Sequence, residues 1–287
     1  MVPNVSFEFF PPKTEAATRE LERAAAKLSY LSPSFASVTY GAGGSTREPT
    51  RRTVELLRDK YELDVAPHLT CVDSSVQETL EIAQQYANSG ISKLVALRGD
   101  PRDGLDGGYT PPQDGFAYAS DLIAALRSRF DFDLYASAYP ESHPTSPSLK
   151  RDIEILKLKQ DSGARSAITQ FFFSNDDFFR YRDLADAAGV TLPIVPGIMI
   201  PENIKGVAKF AQACGASVPE HLLDLFSGIE DDIETRRSIA IHFSIRQCEA
   251  LVREGVNDLH FYTLNKAEST FAVCHALGVR EALDRVA

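Results

Sequence analysis

The stretch Val5-Ser6-Phe7-Glu8-Phe9-Phe10-Pro11-Pro12 decides between the folds open to this chain. It reads as a buried strand, Val5–Phe10, that stops at two prolines, which neither continue a ladder nor form a glycine-rich phosphate turn. Strands of similar character are predicted at Phe35–Gly41, Val65–Val72, Lys93–Gly99, Asp133–Tyr139, Ser166–Phe173, Leu192–Ile200 and Asp258–Leu264. Segments of helical period lie between them at Lys13–Tyr30, Thr46–Lys60, Ser75–Asn88, Phe116–Phe130, Ser148–Ser162, Asp176–Ala188 and Asn203–Cys214. Asp231–Arg253 precedes the last strand and Lys266–Leu277 follows it. Strands that are mostly apolar, without strict alternation, belong in a parallel sheet covered on both faces. An open doubly wound sheet would place a glycine-rich turn after the first strand, where Phe9-Phe10-Pro11-Pro12 stands instead. Gly41-Ala42-Gly43-Gly44-Ser45-Thr46 follows the second strand and has Thr46 where a third glycine belongs. The expectation is an α/β chain folded as a (β/α)8 TIM barrel, a single domain over residues 1–287.

Local signals agree with this partition. Ser75 and Glu78 have the spacing of a capping box, and Gly90, Gly163 and Gly189 stand where helices should stop. Leu149, Ile153 and Leu156 fall on one helical face, with Lys150, Arg151, Glu154 and Lys157 largely off it, as in an outer-ring helix. The loop Pro101–Gln113, rich in Gly, Pro and Asp, is the candidate for a mobile lid.

Bulk properties exclude several classes. The 287 residues are 44% hydrophobic and 24% charged, enough to form a core without a metal or disulfide staple. Cys71, Cys214, Cys248 and Cys274 form no CxxC pair, a pattern suited to the reduced thiols of a cytoplasmic protein. The N-terminus lacks the basic and apolar regions of a signal peptide, and no apolar run approaches the ~20 residues that span a bilayer. A net charge of −10 argues against a nucleic-acid partner, yet leaves a small anionic ligand open.

A barrel builds its active site at the C-terminal ends of its strands. Read to their ends, the strands carry Glu8, Thr39, His68, Arg98-Gly99-Asp100, Tyr139, Gln170, Pro196-Gly197 and Tyr262. Each alone has a plain structural explanation: an ion pair for Glu8, a satisfied core position for His68, a turn cap for Asp100, mouth hydrogen bonding for the others. Together they place a polar group on most strands, which burial penalises and packing does not explain. No lysine stands near a strand end for a Schiff base, and the six histidines show no metal-ligand spacing, so no metal site is expected. Neither a Gly-x-Ser-x-Gly elbow nor a P-loop occurs. One glutamate, one aspartate, amide and hydroxyl groups and many aromatics suit an aromatic cofactor that carries the chemistry while the protein supplies orientation and a proton.

Ser6-Phe7-Glu8-Phe9-Phe10-Pro11-Pro12-Lys13, Ser37-Val38-Thr39-Tyr40-Gly41, Pro67-His68-Leu69-Thr70-Cys71 and Ala96-Leu97-Arg98-Gly99-Asp100 resemble, in order, motifs of the methylenetetrahydrofolate reductases. Ala138-Tyr139-Pro140-Glu141-Ser142-His143-Pro144, Ile168-Thr169-Gln170-Phe171-Phe172-Phe173 and Phe261-Tyr262-Thr263-Leu264-Asn265 continue the series over nearly the whole chain. The resemblance implies a barrel carrying FAD, reduced by NADH or NADPH, that converts 5,10-methylenetetrahydrofolate to 5-methyltetrahydrofolate in two half-reactions and so supplies methyl groups for methionine synthesis. It implies Glu8 as the general acid that opens the five-membered ring, with the raised proton affinity that an apolar strand mouth would confer. Asp100 is implied near both flavin and pterin, as the group tuning charge on the reduced flavin. Thr39, His68, Arg98, Gly99, Tyr118, Ala119, Tyr139, His143, Asp152 and Lys159 fall at FAD-lining positions, with Arg98 and Lys159 suited to the pyrophosphate or ribityl region. Gln170, Phe210, Tyr262 and Lys266 fall at substrate positions, although the helical reading places Phe210 equally well in the core.

Two departures stand out: the loop Gly41-Ala42-Gly43-Gly44-Ser45, which differs from the Gly-Ala-Asn form common in bacterial members, and Ile155, where some members place a polar FAD contact. The regulatory domain of eukaryotic members, and control by S-adenosylmethionine through it, are not expected. The family implies a homo-oligomer, and the residues do not select NADH over NADPH. The rival readings are a folate reductase of the same barrel that works without tightly held flavin or with a redox subunit, and a non-catalytic folate- or flavin-binding barrel, which would not need Glu8.

Overall fold

The structure, a computed structural model, describes residues 1–40, 47–100 and 109–280. Its first half alternates β1 (Asn4–Phe9), α1 (Glu15–Ser29), β2 (Ala36–Val38), α2 (Arg47–Tyr61), β3 (Val65–Thr70), α3 (Val76–Asn88), β4 (Lys93–Leu97) and α4 (Ala119–Arg129). There follow β5 (Asp133–Ala138), α5 (Leu149–Asp161), β6 (Ser166–Thr169), α6 (Asn175–Ala187), β7 (Ile194–Val195) and β8 (Gly197–Ile198). The chain continues through α7 (Ile204–Cys214), α8 (Glu220–Asp224), α9 (Ile233–Arg253), β9 (Asp258–Tyr262) and α10 (Glu268–Ala276).

All pairings are parallel, in the order β7-β6-β5-β4-β3-β2-β1-β9-β8. The sheet edges β7 and β8 are two halves of the single strand expected at Leu192–Ile200, joined at Pro196, and this closes the barrel. Pro196 has no N–H to give to a ladder, so the strand breaks there as it changes partner from β6 to β9. Its carbonyl still accepts the His260 N–H at 3.0 Å. The loops leaving β1 and β9 are clasped together, because the Asn265 amide exchanges bonds of 3.0 and 2.9 Å with the backbone of Phe10.

Three apolar layers hold this frame. Phe7 and Phe9 face outward from β1 into the main core between sheet and helices, both fully buried. That burial stabilises the fold by roughly 1.5–3 kcal/mol for each ring. Inside the barrel, Phe35, Ala66, Val95 and Ile168 form a plug, with Tyr135 4.7 Å from the Phe35 ring. A third cluster, including Phe171, Met199, Val207, Leu222 and Phe226, seats α7 and α8. Helix α8 was not expected, since five residues are too short to display a helical period. Ser75 and Glu78 do form the capping box at α3. The Gly41–Thr46 turn and most of the Pro101–Gln113 loop lie outside the described residues.

Candidate functional site

A cavity of about 230 Å³ opens over the C-terminal ends of the strands. Glu8, His68, Tyr139, Gln170, Phe210 and Tyr262 line it over an apolar floor that includes Val95, Leu97 and Ile168. Strand alternation explains how Glu8 arrives there. Phe7 and Phe9 point out to the helices, so Ser6 and Glu8 point in.

Glu8 is not alone with apolar groups. Its Oε2 is 3.4 Å from His68 Nε2 and 4.0 Å from His260 Nε2. His260 is fully buried, with Ser6 Oγ 2.8 Å from Nδ1 and Ser37 Oγ 3.3 Å from Nε2. The expectation of a raised proton affinity is therefore corrected. Burial does push the Glu8 carboxyl up, but the neighbouring imidazoles of His260 and His68 outweigh it and hold the group at about 2. His260 also moves down, because burial of its ring outweighs the attraction of Glu8. The carboxylate keeps its charge, and the deeper imidazole of His260 is harder to protonate than a free one. A neutral His260 with its proton on Nε2 donates to Ser37 Oγ at 3.3 Å and takes the Ser6 hydroxyl on Nδ1 at 2.8 Å.

Around Glu8 the cavity wall is set by backbone and aromatic contacts. Gln170 Oε1 accepts the Phe171 N–H at 3.0 Å, and among the described residues no hydrogen bond holds its Nε2. The Tyr262 hydroxyl donates to the Thr169 carbonyl at 2.7 Å. Only glycine fits at 197, where a Cβ would stand 2.2 Å from that carbonyl and 2.5 Å from the Tyr262 ring. Phe210 is a rim residue rather than core: 48% exposed, with its ring stacked 5.5 Å from Phe171.

Of the expected cofactor residues, Arg98, Asp100, Tyr139, His143, Asp152 and Lys159 form a belt beside this cavity. Asp152 and Lys159 lie two helical turns apart on α5 and are both buried. Asp152 Oδ2 accepts the Ser142 hydroxyl at 2.6 Å and the His143 N–H at 3.1 Å. Lys159 Nζ donates to the Ser137 carbonyl at 2.8 Å and hydroxyl at 3.0 Å. Burial lowers its ammonium to about 8, against the opposing pull of Asp152. His143 turns its ring edge to Tyr139 at 4.7 Å, and its Nδ1 accepts the Thr145 N–H. Burial depresses the His143 imidazole, and Arg98, Asp152, Asp100 and Lys159 all act on it, so these five titratable groups share one neighbourhood.

Arg98 stacks over Tyr109 at 4.7 Å and stands 4.0 Å from the exposed Asp100. Between them Gly99 takes φ +82, with a would-be Cβ 2.6 Å from Val72 Cγ1. Tyr118 and Ala119 start α4, the first exposed and the second buried. Thr39 is half-buried, its carbonyl accepting the Thr50 hydroxyl at 3.1 Å. Ile155 lies half-buried between Asp152 and Lys159. Lys266 lies apart from the main cavity, in a second one of about 350 Å³ that shares Met199, Phe210, Tyr262 and Leu264 with the first.

Four residues at or behind the cavity wall escaped the sequence reading. Met199 and Leu264 are apolar and carry no chemical signal. Cys214, at the end of α7, is within electrostatic reach of Tyr139, Asp100 and Tyr262, and burial raises its thiol to about 11. His260 was detectable, because Ser6 pairs with His260 and Glu8 with Tyr262, so period two turns all four inward. All four cysteines are free. Among the described residues no helix is long and apolar enough to cross a membrane, and no cluster of His, Cys, Asp and Glu is placed to hold a metal.

Comparison with known proteins identifies the family. A family model described as methylenetetrahydrofolate reductase matches residues 2–278. The 5,10-methylenetetrahydrofolate reductase of Escherichia coli (strain K12) is 44% identical over 280 residues, covering 98% of this chain and 92% of that protein. Arabidopsis thaliana methylenetetrahydrofolate reductase (NADH) 1 is 34% identical over 285 residues, covering 96% of this chain but 48% of that longer protein. A Clostridium thermocellum protein described as binding two copies of 5-methyl-5,6,7,8-tetrahydrofolic acid superposes with a TM-score of 0.58 over 96% of this chain and 94% of its own, at 14% identity, a likeness of fold alone. From its first strand to its last helix, the chain belongs to the methylenetetrahydrofolate reductases, oxidoreductases that reduce 5,10-methylenetetrahydrofolate.

Proposed function

We propose that this barrel holds FAD along the belt from Arg98 to Lys159 and reduces 5,10-methylenetetrahydrofolate to 5-methyltetrahydrofolate at Glu8, with NADH or NADPH as the source of hydride. The observation that carries the reading is one cavity in which a carboxylate, a free amide and an aromatic rim stand over an apolar floor, flanked by the charged groups of Arg98, Asp100, Asp152 and Lys159. The belt fits the cofactor chemically. Arg98 and Lys159 would hold its pyrophosphate, while Asp152 and His143 offer partners for hydroxyls. FAD held there would supply reversible hydride chemistry between nicotinamide and folate, with the one mouth open to each ligand in turn.

The chain's own part is orientation and a proton. The overall change consumes one hydride and one proton, and the proton must reach the folate nitrogen released as the five-membered ring opens. Glu8 is the donor in this reading, and Gln170 Nε2 is free to take a pterin acceptor. In the open mouth Glu8 is ionised. A flat ligand that expels water strengthens burial, the contribution that raises its proton affinity, and thus moves the group toward the protonated form needed. Lys266 and the second cavity extend the same trough past Phe210 and Tyr262, room for the part of the folate that does not react.

A visible spectrum of the purified protein, taken before and after anaerobic NADH and then methylenetetrahydrofolate, tests the proposal. A flavin band that bleaches with nicotinamide and returns with folate is expected; Glu8→Gln should bleach normally and fail to recover. A protein that takes up no FAD refutes the cofactor assignment, and unchanged folate turnover in Glu8→Gln refutes the acid.

A further inference from the structure

Glu141 belongs neither to the cavity nor to the belt, yet it joins the elements that carry them. It sits on the loop after β5, beside Tyr139 and His143. Its Oε2 accepts the Ser217 N–H at 2.9 Å and the Ser217 hydroxyl, across 76 residues of chain. Ser217 follows α7, the helix that presents Phe210. The other oxygen, Oε1, is buried without a hydrogen-bond partner. A carboxyl in that position is not there for solvation, and burial raises its proton affinity.

The same two segments also meet two residues away. Gly215 caps α7 in the left-handed region at φ +73, where a Cβ would lie 2.8 Å from the Ser142 carbonyl and 3.1 Å from Pro144 Cδ. Ser142 itself has φ +87, and its hydroxyl is held by Asp152. A backbone kept in that region is strained, and it persists where surrounding contacts over-determine it. A continuous run of contacts thus leads from Asp152 on α5 through Ser142 and Glu141 to Ser217 and α7. Among the described residues, the Glu141–Ser217 pair is its only hydrogen-bonded crossing to the α7 side.

We propose that Glu141 is a positioning residue that clips the end of α7 to the β5 loop and so sets Phe210 over the mouth. The clip rests on geometry; its consequence for turnover rests on the flavin–folate function proposed above. Hydrogen exchange of the FAD-loaded protein tests it over residues 204–217 in wild type, Glu141→Ala and Glu141→Gln. Glu141→Ala should speed exchange there at least tenfold, with FAD affinity within twofold, while KM for the folate rises five- to tenfold and kcat changes less. Glu141→Gln keeps an acceptor for the Ser217 N–H and should restore most of both effects. Ser217→Ala, which removes only the hydroxyl, should give a smaller change and serves if Glu141→Ala fails to fold. Unchanged exchange in both Glu141→Ala and Ser217→Ala, or a Gln variant as impaired as the Ala variant, overturns the clip. A wild-type protein that binds no FAD overturns the proposed function instead, and exchange in the flavin-free protein still judges the clip.

Discussion

Replacing Glu8 with Gln should remove a specific piece of the pH dependence of stability. The Glu8 carboxyl is held at about 2, against an ordinary value of 4.5, by two imidazoles that overcome its burial. A depressed carboxyl contributes stability that is complete above its unfolded value and is lost as pH falls through the folded one. The whole shift corresponds to about 3 kcal/mol at neutral pH. At pH 3 the unfolded group is almost fully protonated and the folded one is not, so about 2 kcal/mol of that contribution has already gone. The assay is urea unfolding of wild type and Glu8→Gln, both free of flavin, at pH 7, 5 and 3. Wild type should lose about 2 kcal/mol more than the variant between pH 7 and 3, groups remote from Glu8 cancelling in the double difference while His68 and His260 titrate with it as one unit. Parallel losses would refute the claim that His68 and His260 keep Glu8 ionised. A raised Glu8 pKa reverses the sign, with wild type gaining on the variant as pH falls.

Gly197→Ala should cost about 1–3 kcal/mol of stability by overpacking. The new methyl would meet the Thr169 carbonyl and the Tyr262 ring, so folate turnover should fall at least tenfold; full activity with unchanged denaturant stability would show that Tyr262 does not need its present position. Lys159 is charged below about 8 and neutral above it. FAD affinity, followed by quenching of flavin fluorescence, should therefore fall roughly tenfold from pH 7 to 9, in step with the charged fraction. Lys159→Met should bind weakly and without that pH dependence, and a wild-type affinity that is flat over the same range would remove Lys159 from the site.

The barrel was legible because its evidence is local and repeated. Each strand is a short apolar run, each outer helix shows a 3.6-residue stripe, and Phe9-Phe10-Pro11-Pro12 removes the competing open sheet. Signals of one residue's width also carried through, as Ser75 and Glu78 did at α3. What failed locally failed for physical reasons. Pro196 divides a strand that hydropathy reads as continuous, because hydropathy does not register the N–H that a ladder needs. Phe210 has the apolar spacing of a core residue on α7, and its side chain still emerges at the rim, because the third apolar cluster takes Ile204, Val207 and Ala211 and leaves that face over.

The site was legible as a set of residues and illegible as a set of charges. Strand ends name Glu8, His68, Tyr139, Gln170 and Tyr262 without any tertiary contact, and the cavity gathers all five. The sign of the Glu8 shift is another matter, being a difference between burial and two histidines that compete at one carboxylate. One of those histidines reaches Glu8 only because β1 pairs with β9, closing a ring between strands more than 250 residues apart. An apolar neighbourhood in sequence predicts an acid with raised proton affinity; the closed ring brings in His260 and reverses the prediction. That reversal constrains the chemistry. If Glu8 rests as a carboxylate, the proton that the proposed function asks it to give is acquired only once the mouth is covered, so on that proposal proton loading and ligand closure are a single event, and Glu8→Gln should block the return of the flavin band with folate while leaving its bleaching by nicotinamide intact.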